Sequence, residues 1–246
     1  MIGLTARQLQ ILKLVVEEFI NSARPVGSEM LDKKYNLGVS PATIRNEMVF
    51  LEKQGYLSKD HSSAGRLPTS AALKLYVNEL MKEKQLTVAD EVGVKEKIWN
   101  NREDLDDLAD EVAKSLAEQT QALGFVVTNH NKAYSSGYAN LLSMPEFFDI
   151  ALMRQVLTLI EEVPVLQEIF KFGSSENPVQ VVYGQELGNR DLEPISLIFS
   201  NVQIGDNNLT VGVLGSNRFD YPYVMPMMRY VKHLMEEINP DKIESH

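Results

Sequence analysis

The sequence predicts an α+β chain of two domains, in which a small helical domain precedes a larger domain of antiparallel sheet with flanking helices. Segments with apolar residues at helical spacing dominate the amino-terminal part of the chain. A turn-rich segment between two short β-type runs follows the third of these segments, and four further β-rich runs come later. We place the boundaries at residues 1–82 for the first domain, 83–102 for a connector and 103–246 for the second domain.

The first two helices are predicted from an N-terminal capping pattern, from the spacing of apolar residues and from residues that end helices. Thr5 and Gln8 form a capping-box pattern, and apolar residues then recur at helical spacing as far as Ile20. Pro25 ends this helix, and residues 28–35 are typical of a short second helix that ends before a turn at residues 36–38.

The third helix is the most informative segment. Ser40 is a good N-cap, Pro41 suits the first helical position, and Gly55 is a natural left-handed stop. One face is apolar, with Ile44, Met48 and Leu51. The opposite face carries Ala42, Arg45, Asn46, Val49 and Lys53. Small residues near the start of a helix let it enter the major groove, where Arg binds guanine and Asn binds adenine, although an ordinary solvated surface helix shows the same pattern.

A basic hairpin is predicted after this helix. Residues 56–59 are typical of a strand that includes Lys59, residues 61–66 of a turn, and Leu67 with Pro68 of a return strand. We expect Arg66 at the tip of the hairpin to enter a minor groove. We expect donors to DNA phosphates at His61, Ser62 and Ser63. Three helices followed by such a hairpin indicate a winged helix-turn-helix domain.

The rest of the chain predicts helices and then strands. Residues 69–84 form a helix capped by Thr69, residues 83–101 a connector with some helical content, and residues 103–123 an amphipathic helix that should pack or dimerise. Strands are predicted at 123–128, 179–184, 195–204 and 209–215, with a hairpin turn at 206–208. Residues 145–170 are helical in pattern with an interruption at Pro164, and residues 224–238 form a closing helix.

Charge separates the two parts of the chain. Residues 1–82 hold eleven Lys or Arg against eight Asp or Glu, a net of +3, while the remainder holds thirteen against twenty-six, a net of −13. Because the whole chain carries −10, nucleic acid can bind only at the basic amino-terminal domain.

Composition argues against an enzyme. The chain has no Cys, its four His residues show no metal-binding spacing, and it contains no GxSxG, P-loop or GxGxxG motif. We therefore expect no catalytic residue, no metal and no cofactor. The sequence shows neither a run of eighteen apolar residues nor a signal-peptide pattern at Met1, and we expect a cytoplasmic protein.

Several blocks of the sequence resemble one family. LTARQLQILKLVVEEFI, RPVGSEML, SPATIRNEMVFLEKQGYL and HSSAGRLPTSAALKLYVNEL, in this order, closely resemble the amino-terminal domain of the HrcA heat-inducible transcription repressors. GYANLLSMPEFFD, GQELGN, SLIFSNVQ and GVLGSNRFDY are similar to stretches of that family's GAF-like domain. The resemblance covers most of the chain and implies a winged helix-turn-helix followed by a reduced GAF-like dimerisation and regulatory domain.

The resemblance also implies a function. It implies a homodimer that binds an inverted-repeat operator of CIRCE type on double-stranded DNA ahead of chaperone genes, with activity linked to the GroEL chaperonin. By position, the base-reading role falls on the helix with Ser40, Ala42, Thr43, Arg45, Asn46, Val49 and Lys53. The wing role falls on Lys59, His61, Ser62, Ser63, Gly65 and Arg66.

The chain departs from the family in one large feature. Family members run about ninety residues longer, with an inserted dimerisation domain, whereas here Thr128 reaches Gly137 almost directly. We expect the helix at 103–121, the linker helix or the closing helix to form the dimer contact instead. Two alternatives remain open. One is a winged-helix regulator of another regulon whose GAF-like part senses a small molecule, and the other is an enzyme or chaperone-binding adaptor that uses the helical head for protein contacts.

Overall fold

The computed structural model describes residues 3–59, 65–171 and 177–238 of the chain. These residues divide into two compact units, with the division between Lys82 and Glu83. No helix in the described ranges is long and apolar enough to cross a membrane.

Unit 1 begins with three helices. They are α1 (Ala6–Ser22), α2 (Ser28–Tyr35) and α3 (Pro41–Lys53). The predicted capping box of α1 is confirmed, because Thr5 accepts a hydrogen bond from the Gln8 amide while the Gln8 side chain accepts from the Thr5 amide. The predicted cap of α3 is confirmed as well, since Ser40 Oγ accepts from the Thr43 amide at 3.2 Å.

The core of unit 1 lies between these helices. Its fully buried side chains include Ile11, Leu12, Val15, Val16, Leu31, Ile44 and Leu51. The apolar stripe of α3 therefore packs inward, and the spacing argument assigned its buried face correctly.

A two-stranded antiparallel hairpin follows α3. Strand β1 (Leu57–Lys59) pairs with β2 (Arg66–Pro68), with Lys59 opposite Arg66. The hairpin is tied to the segment before α2, because Val26 and Arg66 exchange two backbone hydrogen bonds of 2.9 Å.

The helix after the hairpin is shorter than predicted. Helix α4 (Ser70–Leu75) is capped by Thr69 and continues as one π-helical turn (Tyr76–Leu80), with Met81 already extended. The predicted helix to residue 84 therefore ends four residues early.

Unit 2 is built on a five-stranded sheet in which every neighbouring pair is antiparallel, in the order β4-β3-β7-β6-β5. The strands are β3 (Leu123–Thr128), β4 (Ala133–Ser136), β5 (Gln180–Tyr183), β6 (Ile195–Ile204) and β7 (Asn207–Ser216). The long β6–β7 hairpin turns at Gly205 and Asp206, one residue earlier than predicted, because Ile204 pairs with Asn207. Strand β4 was not predicted.

Unit 2 has six α-helices among its described residues. They are α5 (Val88–Asn100), α6 (Leu105–Thr120), α7 (Tyr138–Leu141), α8 (Ile150–Glu161), α9 (Val163–Phe170) and α10 (Tyr221–Glu236), with 3₁₀ turns at Pro145–Phe148, Gly184–Leu187 and Arg190–Leu192. Helix α5 occupies much of the segment predicted as a connector, and its Val94 and Ile98 are buried.

Different helices cover the two faces of the sheet. Helix α6 packs on β3 and helix α10 on β6, while α8 and α9 contribute Val156, Leu159 and Leu166 to a cluster with Phe125 and Phe199. The apolar stripes of α6 and α10 are therefore buried within the unit, and the polar faces of both helices point outward.

A partly buried ion pair fastens the 3₁₀ turn before α8 to the end of the sheet. Glu146 accepts hydrogen bonds from Ser216 Oγ at 2.9 Å and from Arg218 Nη2 at 2.9 Å. Burial raises the pKa of the Glu146 carboxyl, but the hydrogen bonds and charge of Arg218 outweigh that effect and lower the pKa below its usual value.

Candidate nucleic-acid interface

The outward face of α3 is the candidate interface. Ala42, Arg45, Asn46 and Lys53 are exposed and Val49 is half-buried, so the five residues that spacing placed on one face do share the outer surface. Among the residues that the structure describes, Arg45, Asn46 and Lys53 have no side-chain hydrogen bond or ion pair within the chain. Their polar groups are therefore available to a partner.

Both acidic residues of α3 are held by other parts of unit 1. Glu47 accepts a hydrogen bond of 2.9 Å from the buried Gln8 side chain and lies 3.8 Å from the Arg7 guanidinium, both on α1. Glu52 accepts from Arg66 Nε at 2.6 Å. Their charges are partly neutralised inside the unit, so the outer face of α3 keeps its positive charge.

The N-terminus of α3 is also exposed. Ser40 and Thr43 lie at this end, with their hydroxyls 3.0 Å apart. Ser40 uses its oxygen as the helix cap, so any contact of Ser40 with a partner would add to a structural role that the structure already shows.

Arg66 does not occupy the position that the sequence analysis gave it. Arg66 lies in strand β2 rather than at the hairpin tip, and only 13% of its side chain is exposed because it is paired with Glu52. The predicted position of Arg66 at the tip is therefore wrong, while its contact with a minor groove stays a prediction. Sequence reasoning missed the pairing because Glu52 and Arg66 are separated by the hairpin, and nothing in the local pattern shows that they meet.

The other predicted wing residues have different outcomes. Lys59 is exposed at the end of β1 and has no partner within the described ranges, as a backbone-contacting lysine requires. Gly65 is buried, and an added Cβ would lie 2.7 Å from Pro25 Cβ, so its role is close packing. His61, Ser62 and Ser63 lie outside the described residues.

Helix α2 is locked to α1 beside this face. The buried carboxylate of Glu18 accepts hydrogen bonds from Lys34 Nζ and the Tyr35 hydroxyl. Burial raises the Glu18 pKa, but the bonds from Lys34 and Tyr35 outweigh burial and lower it, so Glu18 is ionised at neutral pH. This contact fixes the position of α2 relative to the helix that packs against α3.

A groove that the sequence analysis did not anticipate adjoins Arg45. It has a volume of about 760 Å³ and is lined by Gly27, Ser28, Glu29, Met30, Lys33, Lys34, Arg45 and Gly65. Among the described residues, no group of three or more His, Asp or Glu side chains is placed to hold a metal ion.

Three helices, an antiparallel hairpin and an exposed, positively charged helix face are features that DNA-binding proteins share. The family follows from direct comparison. Residues 44–225 match the family model described as HrcA protein C terminal domain, and the chain belongs to the HrcA family.

Curated relatives agree with this membership. The heat-inducible transcription repressor HrcA of Desulforamulus reducens is 25% identical over 323 aligned positions, covering 90% of this chain and 93% of the relative. The protein of the same name from Symbiobacterium thermophilum is 24% identical over 334 positions, covering 95% and 98%. Both alignments are longer than the 246 residues of this chain, so the relatives contain residues that have no counterpart here.

One solved structure shares the fold. The crystal structure of a hypothetical protein at 2.2 Å resolution superposes with a TM-score of 0.77 at 17% identity, covering 98% of this chain and 100% of that chain. At this identity the likeness shows the fold alone.

Proposed function

We propose that this chain is a heat-inducible transcription repressor whose unit 1 is a winged helix-turn-helix domain and whose unit 2 is a reduced GAF-like domain. The observation that carries the proposal is the outer face of α3. Arg45, Asn46 and Lys53 are exposed there and have no side-chain partner among the described residues, while both glutamates of the helix are held elsewhere. Membership of the HrcA family supports the same function.

In this proposal α3 lies in the major groove and Arg45 and Asn46 contact base edges. Arg is suited to guanine O6 and N7, and Asn to adenine N6 and N7, through paired hydrogen bonds. Lys53 and Lys59 contact phosphates, which raises affinity without choosing a sequence. Arg66 acts through Glu52, since it fixes the hairpin against the end of α3.

The operator is an inverted repeat of CIRCE type, read by a homodimer. A two-fold dimer presents two copies of α3 to half-sites separated by about one helical turn or a multiple of it. Occupancy of the operator blocks transcription of chaperone genes, and loss of the binding-competent form under stress releases it.

We place the dimer contact on the exposed apolar surface of unit 2 rather than on α6 or α10. The stripes of those two helices are buried against the sheet, whereas Leu142, Phe148 and Ile150 are 59%, 70% and 83% exposed. Large exposed apolar side chains grouped within one short segment are typical of an interaction surface. Ile150→Asp should convert the dimer to a monomer in sedimentation at micromolar concentration, with Val88→Asp on α5, also exposed, as the matched control.

The test of function is a selection from random duplexes with the purified full-length chain, followed by footprinting across the source genome. The proposal predicts enrichment of an inverted repeat that lies ahead of chaperone genes. Enrichment of an inverted repeat ahead of other genes would favour another regulon. Failure to retain any duplex at low salt would overturn the assignment. Adding GroEL to the same binding reaction tests the chaperonin link that family resemblance implies.

Among the described residues of unit 2, the groove at the β6–β7 hairpin gives the small-molecule alternative little support. This groove has a volume of about 590 Å³, and five of its eleven lining residues carry amide side chains, so it is not a purely apolar pocket. Two of these amides are already engaged, since Asn201 accepts from Thr210 at 2.9 Å and Gln167 donates to Asn131 at 3.1 Å.

A further inference from the structure

Helix α3 carries an exposed aromatic ring. Phe50 is 37% exposed, and among the residues that the structure describes in unit 1 it is the single large hydrophobic residue that is exposed. Its ring forms no ring–ring and no cation–π contact within the described ranges. A single exposed apolar residue is ordinary on a protein surface, so the position of Phe50 on α3 decides what it can contact.

Phe50 and Arg45 lie on opposite flanks of the outer face. At about 100° per residue, the side chains of this face follow one another around the helix axis in the order Arg45, Val49, Asn46, Phe50. Arg45 and Phe50 are separated by about 140°, so each lies about 70° from the middle of the face. A helix of about 10–12 Å diameter fills a major groove of about 12 Å width, and side chains on both flanks therefore reach the groove.

The chemistry of the ring selects one group in that groove. Thymine alone among the four bases presents an apolar group there, its C5 methyl, and Phe is one of the side chains that contact it. The ring has no charge and no hydrogen-bond donor for a phosphate. Phe50 follows Asn46 by four residues, which is about 6 Å along the helix axis, or about two base-pair steps of about 3.4 Å. A thymine within two base pairs of the adenine that Asn46 contacts is therefore within reach.

We propose that Phe50 selects thymine at one position of each half-site by packing its ring against the C5 methyl group. This inference rests on the proposed function, because it requires α3 to lie in the major groove. Val49 is the other apolar candidate on this face, but it is half-buried, so Phe50 offers the more exposed apolar surface. One position of the operator is then chosen by apolar contact, whereas Arg45 and Asn46 choose theirs by hydrogen bonds.

Replacement of thymine by deoxyuridine tests the contact, because this exchange removes only the methyl group. Each thymine in one half-site of the selected duplex is replaced in turn, and the affinity of the full-length chain is measured. For the parent chain we expect one position at which uracil weakens binding about fourfold, as for the loss of one buried methyl-sized group. Phe50→Ala should bind the thymine and uracil duplexes of that position equally. Phe50→Leu, which keeps an apolar side chain, should retain most of the discrimination.

Two control variants separate this contact from other effects. Val92→Ala also truncates an exposed apolar residue, but Val92 lies on α5 of unit 2, so the ratio of the two affinities should not change. Lys53→Ala removes a proposed phosphate contact on α3 and should weaken the thymine and uracil duplexes by the same factor. Hydrogen exchange of α3 in Phe50→Ala should match that of the parent chain, which shows that the helix remains folded.

The failure of this inference and the failure of the proposed function give different results. If the parent chain binds the selected duplex but uracil weakens binding at no position, the thymine contact is overturned and the repressor function stands. Discrimination against uracil that persists in Phe50→Ala also overturns the role of Phe50 and assigns the methyl contact to another side chain, such as Val49. If the parent chain binds no duplex at low salt, the proposed function fails and the thymine contact fails with it.

Discussion

Arg66 gives the sharpest contrast between a structural role and a DNA-binding role. In the structure its Nε lies 2.6 Å from Glu52 Oε2, with 13% of the Arg66 side chain and 32% of the Glu52 side chain exposed. Replacing Arg66 by Met removes this pair and leaves the Glu52 carboxylate without its partner, while the methylene packing is largely retained.

The expected cost lies between two limits. Breaking a fully buried pair by removing one partner costs about 3–5 kcal/mol, and breaking an exposed pair costs about 0–1 kcal/mol. Because Arg66 is nearly buried and Glu52 is about a third exposed, we expect Arg66→Met to lower the free energy of unfolding of unit 1 by about 2 kcal/mol. Glu52→Gln together with Arg66→Met removes both charges and should recover about half of that loss.

Hydrogen exchange in the intact chain measures this directly. The amides of Val26 and Arg66 each bond to the other residue's carbonyl at 2.9 Å, so their protection reports on the attachment of the hairpin. We expect faster exchange at both amides in Arg66→Met and partial recovery in the double variant. Under conditions where unit 1 remains folded, the double variant should bind duplex DNA within about threefold of the parent chain. Unchanged exchange combined with a tenfold loss of DNA affinity would refute the reasoning and restore the groove-inserting role.

Three further changes test the fold and its pH dependence. Ser40→Ala removes the cap of α3 and should destabilise unit 1 by about 1 kcal/mol in hydrogen exchange of that helix. Gly124→Ala should destabilise unit 2 by about 2 kcal/mol or more, since a Cβ there would lie 2.1 Å from a carbonyl oxygen of α6, whereas Gly93→Ala on α5, with open space, should be neutral or stabilising. Urea unfolding followed by the fluorescence of Trp99, the one tryptophan of the chain, distinguishes these two outcomes. The lowered pKa of Glu146 means that its contribution to stability is present above the usual carboxyl pKa and is lost as pH falls through the lower folded-state value, so Glu146→Gln should be less stable at pH 7 but lose less stability on acidification.

Local signals in the sequence predicted most of the elements correctly. The capping box at Thr5, the Ser40–Pro41 start of α3 and the strands at residues 123–128 and 195–204 depend on neighbouring residues, and the structure confirms them. Spacing also assigned the exposed face of α3, because a helix repeats its faces regardless of what it packs against.

The features that the sequence did not predict share a different cause. Each of them depends on contact between residues that are distant in sequence. Strand β4 (Ala133–Ser136) is short and lacks an apolar run, and it forms because β3 offers an open edge. Pairing of Arg66 with Glu52 and the groove beside α2 likewise depend on how α3, the hairpin and α2 come together. Periodicity carries no information about such contacts.

The central claim is that the outer face of α3 contacts base edges, and the most direct measurement compares Arg45→Ala with Lys59→Ala on the selected duplex and on scrambled DNA across a range of salt concentrations. Arg45→Ala should cost about 1–3 kcal/mol on the selected duplex and much less on scrambled DNA, whereas Lys59→Ala should weaken both equally and reduce the salt slope by roughly one. Equal losses from both substitutions on both duplexes would contradict the claim.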